Sequence, residues 1–219
     1  MYKIALFDLD GTLTDSGPGI ISCAIKTLEK FGIYIQDKRE LYPFIGPPLE
    51  ESFKTMFHLS DKEAKEAVKF YREIYKETGI YGNSVYEGVK EMLEELYKKD
   101  IKIVLATSKP EYLALKVLEM FDLKKYFYLI CGAFEEVRFK KSDIINHALV
   151  TLKITDKNEV VMVGDRKYDI IGANINGIDS IGILYGGYGT EEELVKESAT
   201  YIASKPQNVV DIILSRMEK

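Results

Sequence analysis

Two aspartates stand two residues apart directly after the first apolar run of the chain. The run Ile4–Phe7 is followed by Asp8, and Asp10 precedes Gly11. Because residues i and i+2 of an extended chain point to the same side, the two carboxylates can converge on one point. Two like charges this close are unfavourable unless a cation or a proton lies between them. The spacing therefore indicates a cation-binding or proton-transferring site, although a DxDG segment can also be an ordinary Asp-rich turn.

The elements that must position these aspartates follow a simple order along the chain. Residues 17–80 contain helical patterns and no convincing strand, whereas strands and helices alternate from about residue 86 onward. This order predicts an α/β fold, a Rossmann-like doubly wound parallel sheet with an inserted all-helical domain. We expect the core to comprise residues 1–16 and 82–219 and the helical domain residues 17–81. The wholly apolar first strand should lie in the middle of the sheet.

Polar residues end several of the predicted strands. Thr107 and Ser108 follow the strand 101–106, and Asp165 follows the strand 160–163. Ligands of such sheets bind beyond the carboxyl ends of the strands. Each of these residues alone could be a helix cap or a solvated group. Their joint occurrence at one edge of the sheet indicates a functional site there.

The carboxylates of this edge suit a hard metal ion. Asp8, Asp10 and Asp165 form an oxygen-rich set of the kind that binds Mg²⁺ together with water. A carboxylate can also attack phosphorus and form an aspartyl-phosphate. Asp10 could then protonate the leaving alkoxide and afterwards deprotonate the attacking water.

Hydroxyl and ammonium groups complete this chemistry. Thr107 or Ser108 could donate hydrogen bonds to the transferring phosphoryl oxygens, and Lys141 could neutralise their charge. Lys140 stands beside Lys141 in the sequence. Of the two lysines, Lys141 is chosen for this role by its distance from Asp143 and Ile144. The predicted chemistry is phosphoryl transfer with hydrolysis of a small phosphate ester.

The sequence resembles the haloacid dehalogenase-like superfamily, chiefly phosphatases, over essentially the whole chain. DLDGT at 8–12, Thr107-Ser108, Lys141 and GDRKYD at 164–169 are similar to its four motifs, in the family's order. The third motif departs from the common Lys-Pro pattern, because this chain has FKKSD. The strong agreement of the other motifs supports an Mg²⁺-dependent phosphatase.

The resemblance implies a role for each matched residue. Asp8 would be the nucleophile and Asp10 the general acid and base. Mg²⁺ would be held by Asp8, the Asp10 carbonyl and Asp165, with Asp169 as a supporting carboxylate behind the ligands. Thr107, Ser108 and Lys141 would contact the phosphoryl group.

The inserted helices resemble the cap of the subgroup that contains phosphoglycolate phosphatases and 5′-nucleotidase-like enzymes. The stretches at 44–53 and 71–79 carry this resemblance. Such a cap excludes water and supplies specificity contacts. Arg72, Arg39 and Lys54 are candidates for contacting the leaving group, with Arg72 chosen as the substrate-binding residue. The aromatic residues of the insertion could stack on a nucleobase, but packing in a small helical core accounts for most of them.

Other functions remain open on the motifs alone. A sugar phosphomutase of the β-phosphoglucomutase type uses the same nucleophile and acid. A signalling domain phosphorylated on Asp8 would have no use for Asp10 or for a cap. A non-enzymatic binding protein would be expected to lack at least one of Asp8, Asp10, Lys141 and Asp165, and all four are present. A dehalogenase attacking carbon would not need Asp10.

Composition limits the partners. The net charge of −5 argues against a general nucleic-acid or anionic-membrane binder, and no apolar run approaches the length of a membrane span. Cys23 and Cys131 lack CxxC spacing, which favours a reduced cytoplasmic chain. His58 and His147 are too few for a histidine metal cluster. We expect a monomer or homodimer acting on a small-molecule phosphate ester.

Overall fold

The computed structural model describes residues 2–134, 137–138 and 140–215. Its strands are β1 Ile4–Phe7, β2 Thr14–Asp15, β3 Ser84–Val85, β4 Lys102–Pro110, β5 Phe127–Ala133, β6 Val160–Gly164, β7 Asp179–Ile183 and β8 Tyr201–Ala203. Its α-helices are α1 Gly17–Lys30, α2 Leu49–Phe57, α3 Asp61–Glu77, α4 Val89–Lys98, α5 Glu111–Met120, α6 Lys141–Thr151, α7 Lys167–Asn176, α8 Glu191–Lys196 and α9 Pro206–Ser215. Short 3₁₀ helices cover Lys38–Phe44, Gly79–Tyr81, Lys124–Tyr126 and Lys157–Glu159.

Six strands form one parallel sheet in the order β5-β4-β1-β6-β7-β8. All four residues of β1 are buried, as expected for a strand that has helices on both faces of its sheet. The predicted α/β class, a Rossmann-like parallel sheet with β1 in its interior, is confirmed.

The register aligns the carboxyl ends of the three central strands. Phe7 at the end of β1 pairs with Leu105 of β4 on one side and with Val163 of β6 on the other. The backbone N–H of Asp8 donates to the carbonyl of Val163 at 3.0 Å. Residues that follow these three positions therefore meet at one edge of the sheet.

A buried apolar layer on one face fixes this register. Ile4 and Leu6 of β1 belong to the same hydrophobic cluster as Ile144 and Ala148 of α6. Because side chains alternate across a strand, a slip by one residue would turn these positions toward the opposite face. The packing of α6 on this face also sets where the first residue of that helix lies.

The chain divides into two compact units, Met1–Thr14 with Val85–Lys219 and Asp15–Ser84. These limits lie two or three residues outside the predicted 17–81 segment. The first unit contains the six-stranded sheet, and the second is built from helices. Of the helices in the described ranges, none combines the length and the apolar character needed to cross a bilayer.

The helical unit has its own aromatic core. Phe44 and Phe53 are buried with ring centroids 5.0 Å apart, and Tyr71 stacks on Tyr75 at 5.8 Å. These four rings therefore pack against one another, as the sequence favoured. Tyr34 is different, because 71% of its surface is exposed.

Some predicted boundaries differ from the structure. The strand expected at 101–106 continues to Pro110, and the short strands β2 and β3 had no periodicity from which to predict them. The segment Lys38–Phe44 is a 3₁₀ helix that begins with a capping box between Asp37 and Glu40. Two residues are too few to show the alternation that identifies a strand.

Candidate active site

The loop after β1 folds tightly beneath Asp8. The carbonyl of Leu9 accepts the N–H groups of Thr12, Leu13 and Thr14, and the Gly11 N–H donates to Thr14 at 2.8 Å. Gly11 has a φ of +83°, which only glycine adopts without strain. A Cβ at this position would lie 2.3 Å from Oδ2 of Asp165. Glycine is therefore needed both for the turn and for the close approach of Asp165.

Lys141 begins α6 and reaches the DxD segment from the neighbouring helix. Its Nζ lies 2.8 Å from Oδ1 of Asp8, 2.8 Å from Oδ1 of Asp169 and 3.0 Å from the carbonyl oxygen of Ala106. The contact with Ala106 is a hydrogen bond, whereas the contacts with the two carboxylates are ion pairs. Lys140 is exposed, whereas Lys141 is buried. The geometry thus favours Lys141 over Lys140 as the lysine of this site.

The charge of Lys141 is stabilised by its neighbours. Burial lowers the pKa of an ammonium, but the carboxylates of Asp169 and Asp8 more than offset this effect and raise the pKa of Lys141. Lys141 is therefore a permanent cation at neutral pH. It can hold Asp8 in one orientation and neutralise an incoming anionic group.

Three buried carboxylates gather at this edge. Oxygens of Asp8, Asp165 and Asp169 lie within 4.8 Å of one another. Thr12 donates to Oδ1 of Asp165 at 2.9 Å, while Oδ2 of Asp165 is buried and has no hydrogen-bond partner among the described residues. Burial, followed by the charges of Asp169 and Asp8, raises the pKa of Asp165 well above its usual value. An ionised Asp165 is thus unfavourable here unless a cation joins the cluster.

The donor set fits Mg²⁺. The unpartnered oxygen of Asp165 and the carboxylate of Asp8 are hard ligands on adjacent strand ends. Asp169 is placed differently, because its Oδ1 pairs with Lys141 and its Oδ2 accepts the Arg166 N–H at 3.1 Å. Burial raises the pKa of Asp169 to about 6, although Lys141 acts in the opposite direction. These contacts suit Asp169 to a supporting position behind the ligands.

Asp10 does not join the buried carboxylates through its side chain. Its two carboxylate oxygens lie 2.9 and 2.8 Å from Nζ of Lys109, a buried residue near the end of β4. Lys109 was not among the predicted site residues. It was missed because the apolar pattern of this strand stops at Ala106, whereas β4 continues to Pro110.

Thr107 and Ser108 lie inside β4, near its end, and not after the strand as predicted. Thr107 is buried, and its hydroxyl accepts the N–H of Lys109 at 3.3 Å. Ser108 is half-buried. Ala106, one residue earlier, supplies the carbonyl that binds Lys141. Both hydroxyl residues therefore lie next to the lysine and aspartate cluster along the chain.

A glycine-rich loop after β7 lies against the loop that follows β1, beside the carboxylate cluster. This contact had not been predicted. A Cβ on Gly186 would lie 1.9 Å from the carbonyl oxygen of Gly11, so the two loops touch. The Tyr185 hydroxyl is buried without a hydrogen-bond partner among the described residues. Burial and then the charge of Asp165 raise the pKa of Tyr185. The segment GGYG at 186–189 was the available sequence signal.

The predicted leaving-group residues belong to the helical unit. Arg72 lies on an exposed face of α3. Arg39 pairs with Asp37 at 2.6 Å, and Lys54 pairs with Asp61 at 2.9 Å. The substrate-binding role assigned to Arg72 stays a prediction.

Comparison with known proteins identifies the family. A model of the haloacid dehalogenase-like hydrolases matches residues 5–183. A 5′-nucleotidase of Pseudomonas aeruginosa is 37% identical over 201 residues, which cover 91% of this chain and 90% of that protein. The tyrosine-protein kinase PtkA of Mycobacterium tuberculosis is 34% identical over 201 residues, 91% of this chain and 68% of the kinase.

A solved structure extends the likeness to the whole fold. The crystal structure of a "predicted phosphatase" from Clostridium acetobutylicum superposes with a TM-score of 0.95 at 38% identity, covering 98% of this chain and 99% of the other. The family prediction made from the four motifs is confirmed. The chain belongs to the haloacid dehalogenase-like hydrolases.

Proposed function

We propose that this hydrolase is an Mg²⁺-dependent phosphatase that cleaves a small organic phosphate monoester through an aspartyl-phosphate on Asp8. The arrangement around Asp8 carries the proposal. Lys141 lies 2.8 Å from one of its oxygens, and Asp165 nearby keeps a buried oxygen without a hydrogen-bond partner among the described residues. A nucleophile, a fixed cation and an unused metal ligand at one point are what phosphoryl transfer requires.

The first step would transfer the phosphoryl group to Asp8. An Asp8 oxygen attacks phosphorus, the bond to the leaving oxygen breaks, and that oxygen takes a proton from Asp10. Lys141 holds Asp8 in place and offsets the negative charge of the phosphoryl oxygens. Thr107 and Ser108 would donate hydrogen bonds to those oxygens.

The second step would release inorganic phosphate. Water attacks the phosphorus of the aspartyl-phosphate, Asp10 accepts a proton from the water, and the bond between phosphorus and Asp8 breaks. Mg²⁺, held by Asp8, the Asp10 carbonyl and Asp165, would supply charge neutralisation for the transferring group. Asp169 would support the site by holding Lys141. Both aspartates then return to their starting states.

The substrate class is a small phosphate ester. The 5′-nucleotidase among the relatives supports a nucleoside monophosphate, and the resemblance of the inserted helices to a phosphoglycolate phosphatase cap also supports phosphoglycolate. The helical unit would act as the cap that excludes water, with Arg72 as the residue offered to the leaving group. We therefore place substrate choice in the helical unit and the reaction itself in the sheet unit.

Phosphate release tests this proposal. The chelated protein is assayed with 2-phosphoglycolate, nucleoside 5′-monophosphates and sugar phosphates, first in EDTA and then in excess Mg²⁺. We expect release of phosphate from at least one ester only when Mg²⁺ is present, and none from Asp8→Asn. An undiminished rate in EDTA would refute the metal site. Substantial turnover by Asp8→Asn would refute the nucleophile.

A second candidate is transfer of the phosphoryl group to an acceptor other than water. The relative named a tyrosine-protein kinase favours this alternative, and a sugar phosphomutase would use the same nucleophile and acid. Incubation with ATP and a tyrosine peptide, or with glucose 1-phosphate, separates the two functions. Phosphopeptide or glucose 6-phosphate would support transfer, whereas inorganic phosphate alone would support hydrolysis.

A further inference from the structure

Each aspartate of the DxD segment has a buried lysine of its own. Lys141 contacts Asp8, and Lys109 contacts Asp10. The mechanism above uses Lys141 and leaves Lys109 without a task. A lysine is rarely buried without a specific reason, because removing its ammonium from water is costly unless it is paired.

The contact with Lys109 restrains the orientation of the Asp10 carboxylate as well as pairing its charge. Nζ of Lys109 bonds both oxygens of the carboxylate, at 2.9 and 2.8 Å, and only 5% of the lysine side chain is exposed. Two bonds to one carboxylate restrain its rotation as well as its position. Among the described residues, Lys109 supplies both hydrogen bonds that the Asp10 side chain accepts.

The backbone of Lys109 is itself held in place. Its N–H donates to the Thr107 hydroxyl at 3.3 Å, near the end of β4. β4 is the neighbour of β1 in the parallel sheet, and Phe7 pairs with Leu105. Lys109 therefore joins the end of β4 to the loop that carries Asp10.

We infer that Lys109 is a positioning residue that presents the Asp10 carboxylate as the proton acceptor for the water that attacks the aspartyl-phosphate. This inference rests on the proposed function. In that step the water oxygen bonds to phosphorus, one water proton moves to Asp10, and the bond between phosphorus and Asp8 breaks. A carboxylate bonded through both oxygens to one ammonium is fixed in position and orientation, which is what proton transfer from the attacking water needs.

The two half-reactions should respond differently to loss of Lys109. Transfer from p-nitrophenyl phosphate to Asp8 needs little proton donation, because nitrophenolate is a good leaving group. Hydrolysis of the aspartyl-phosphate needs the base whatever the substrate was. A misplaced Asp10 should therefore slow the second half-reaction, and the phosphorylated enzyme should accumulate.

Rapid-quench kinetics of Lys109→Met with p-nitrophenyl phosphate and Mg²⁺ test the inference. We expect kcat to fall about tenfold to a hundredfold, kcat/KM to change much less, and the steady-state fraction of phosphorylated protein to rise. Lys109→Arg, which can also bond both oxygens, should recover part of kcat. Lys102→Met, at the exposed start of the same strand, should behave as wild type.

A double variant separates positioning from a general loss of structure. If Lys109 acts through Asp10, then Lys109→Met should slow dephosphorylation little further in an Asp10→Asn background. Equal losses in kcat and kcat/KM without accumulation, or additive losses in the double variant, would overturn the inference. If Lys109→Met does not fold, wild-type rates of dephosphorylation in Lys109→Gln would overturn it instead. Turnover by Asp8→Asn would overturn the proposed function and this inference with it.

Discussion

The Lys141 ammonium lies 2.8 Å from the carboxylate of Asp8, and both side chains are buried. Lys141 contacts Asp169 at the same distance. Removing this one cation would leave two buried carboxylates uncompensated, which is among the most destabilising changes that a folded chain can undergo.

Exchanging the two neighbouring lysines for methionine should have very different effects. We expect Lys141→Met to lower the free energy of unfolding by about 3–5 kcal/mol and to abolish phosphate release. Lys140→Met, at an exposed position, should change stability by no more than about 0.5 kcal/mol and keep its activity. Urea unfolding and phosphate release measure both properties. Loss of activity in Lys140→Met alone would reverse the assignment.

Two glycines with the same left-handed backbone conformation provide a matched pair of variants. Gly11 and Gly32 have φ of +83° and +75°, but an added Cβ meets Asp165 at Gly11 and open space at Gly32. Gly32→Ala should cost about 1–2 kcal/mol from the backbone alone and leave the Mg²⁺ requirement unchanged. Gly11→Ala should also displace Asp165, so the Mg²⁺ concentration for half-maximal activity should rise strongly. Equal metal requirements in the two variants would contradict the close approach of the Gly11 loop to Asp165.

The acidic cluster predicts a pH-dependent stability for the metal-free protein. The pKa of Asp165 is raised by burial and by Asp169 and Asp8, so the folded chain binds a proton more tightly than the unfolded chain does. Stability from this group is complete below the unfolded pKa of about 3.9 and is lost as the pH rises toward the folded value. The pKa of Asp169, raised to about 6, acts in the same direction.

Thermal unfolding in EDTA at about pH 5 and about pH 7.5 measures this loss. We expect wild type to lose more stability over the interval than Asp165→Asn, which has no proton to release at that position. Added Mg²⁺ should raise the melting temperature of wild type at the higher pH and have little effect on Asp165→Asn. If wild type instead gained stability relative to Asp165→Asn as the pH rises over this interval, ionisation of Asp165 would not destabilise the metal-free protein.

The loss of activity in Asp10→Asn should depend on how much the leaving group of the substrate needs a proton. Asp10→Asn should slow hydrolysis of an alkyl phosphate by about 10²–10⁴-fold, the usual contribution of general acid–base catalysis. The loss of kcat/KM with p-nitrophenyl phosphate should be much smaller, because kcat/KM reports the first half-reaction. Comparing kcat/KM for the two substrates measures this difference within one variant. Equal losses would argue against Asp10 as the acid.

The part of the site that sequence could predict is the part set by strand ends. Asp8, Thr107 and Asp165 each follow an apolar run, and the parallel sheet brings those ends together whatever the side chains do afterwards. Lys141 could be predicted for a similar reason, because it begins a helix that packs on the same sheet.

Other parts depended on tertiary geometry that carries no periodic signal. The pairing of Lys109 with Asp10 depends on β4 continuing beyond Ala106, where the apolar pattern stops. The approach of Gly186 to Gly11 arises from two loops that are distant in sequence. Propensity and alternation describe neighbours along the chain and therefore could not predict these contacts.

The central claim is that Asp8 carries the phosphoryl group during turnover. Acid quenching of wild type with p-nitrophenyl phosphate and Mg²⁺, followed by mass spectrometry of its peptides, tests it most directly. We predict one added phosphoryl group on the peptide that contains Asp8, with none in EDTA and none in Asp8→Asn. Turnover without any phosphorylated Asp8, in wild type and in the slowly dephosphorylating Asp10→Asn variant, would contradict the claim.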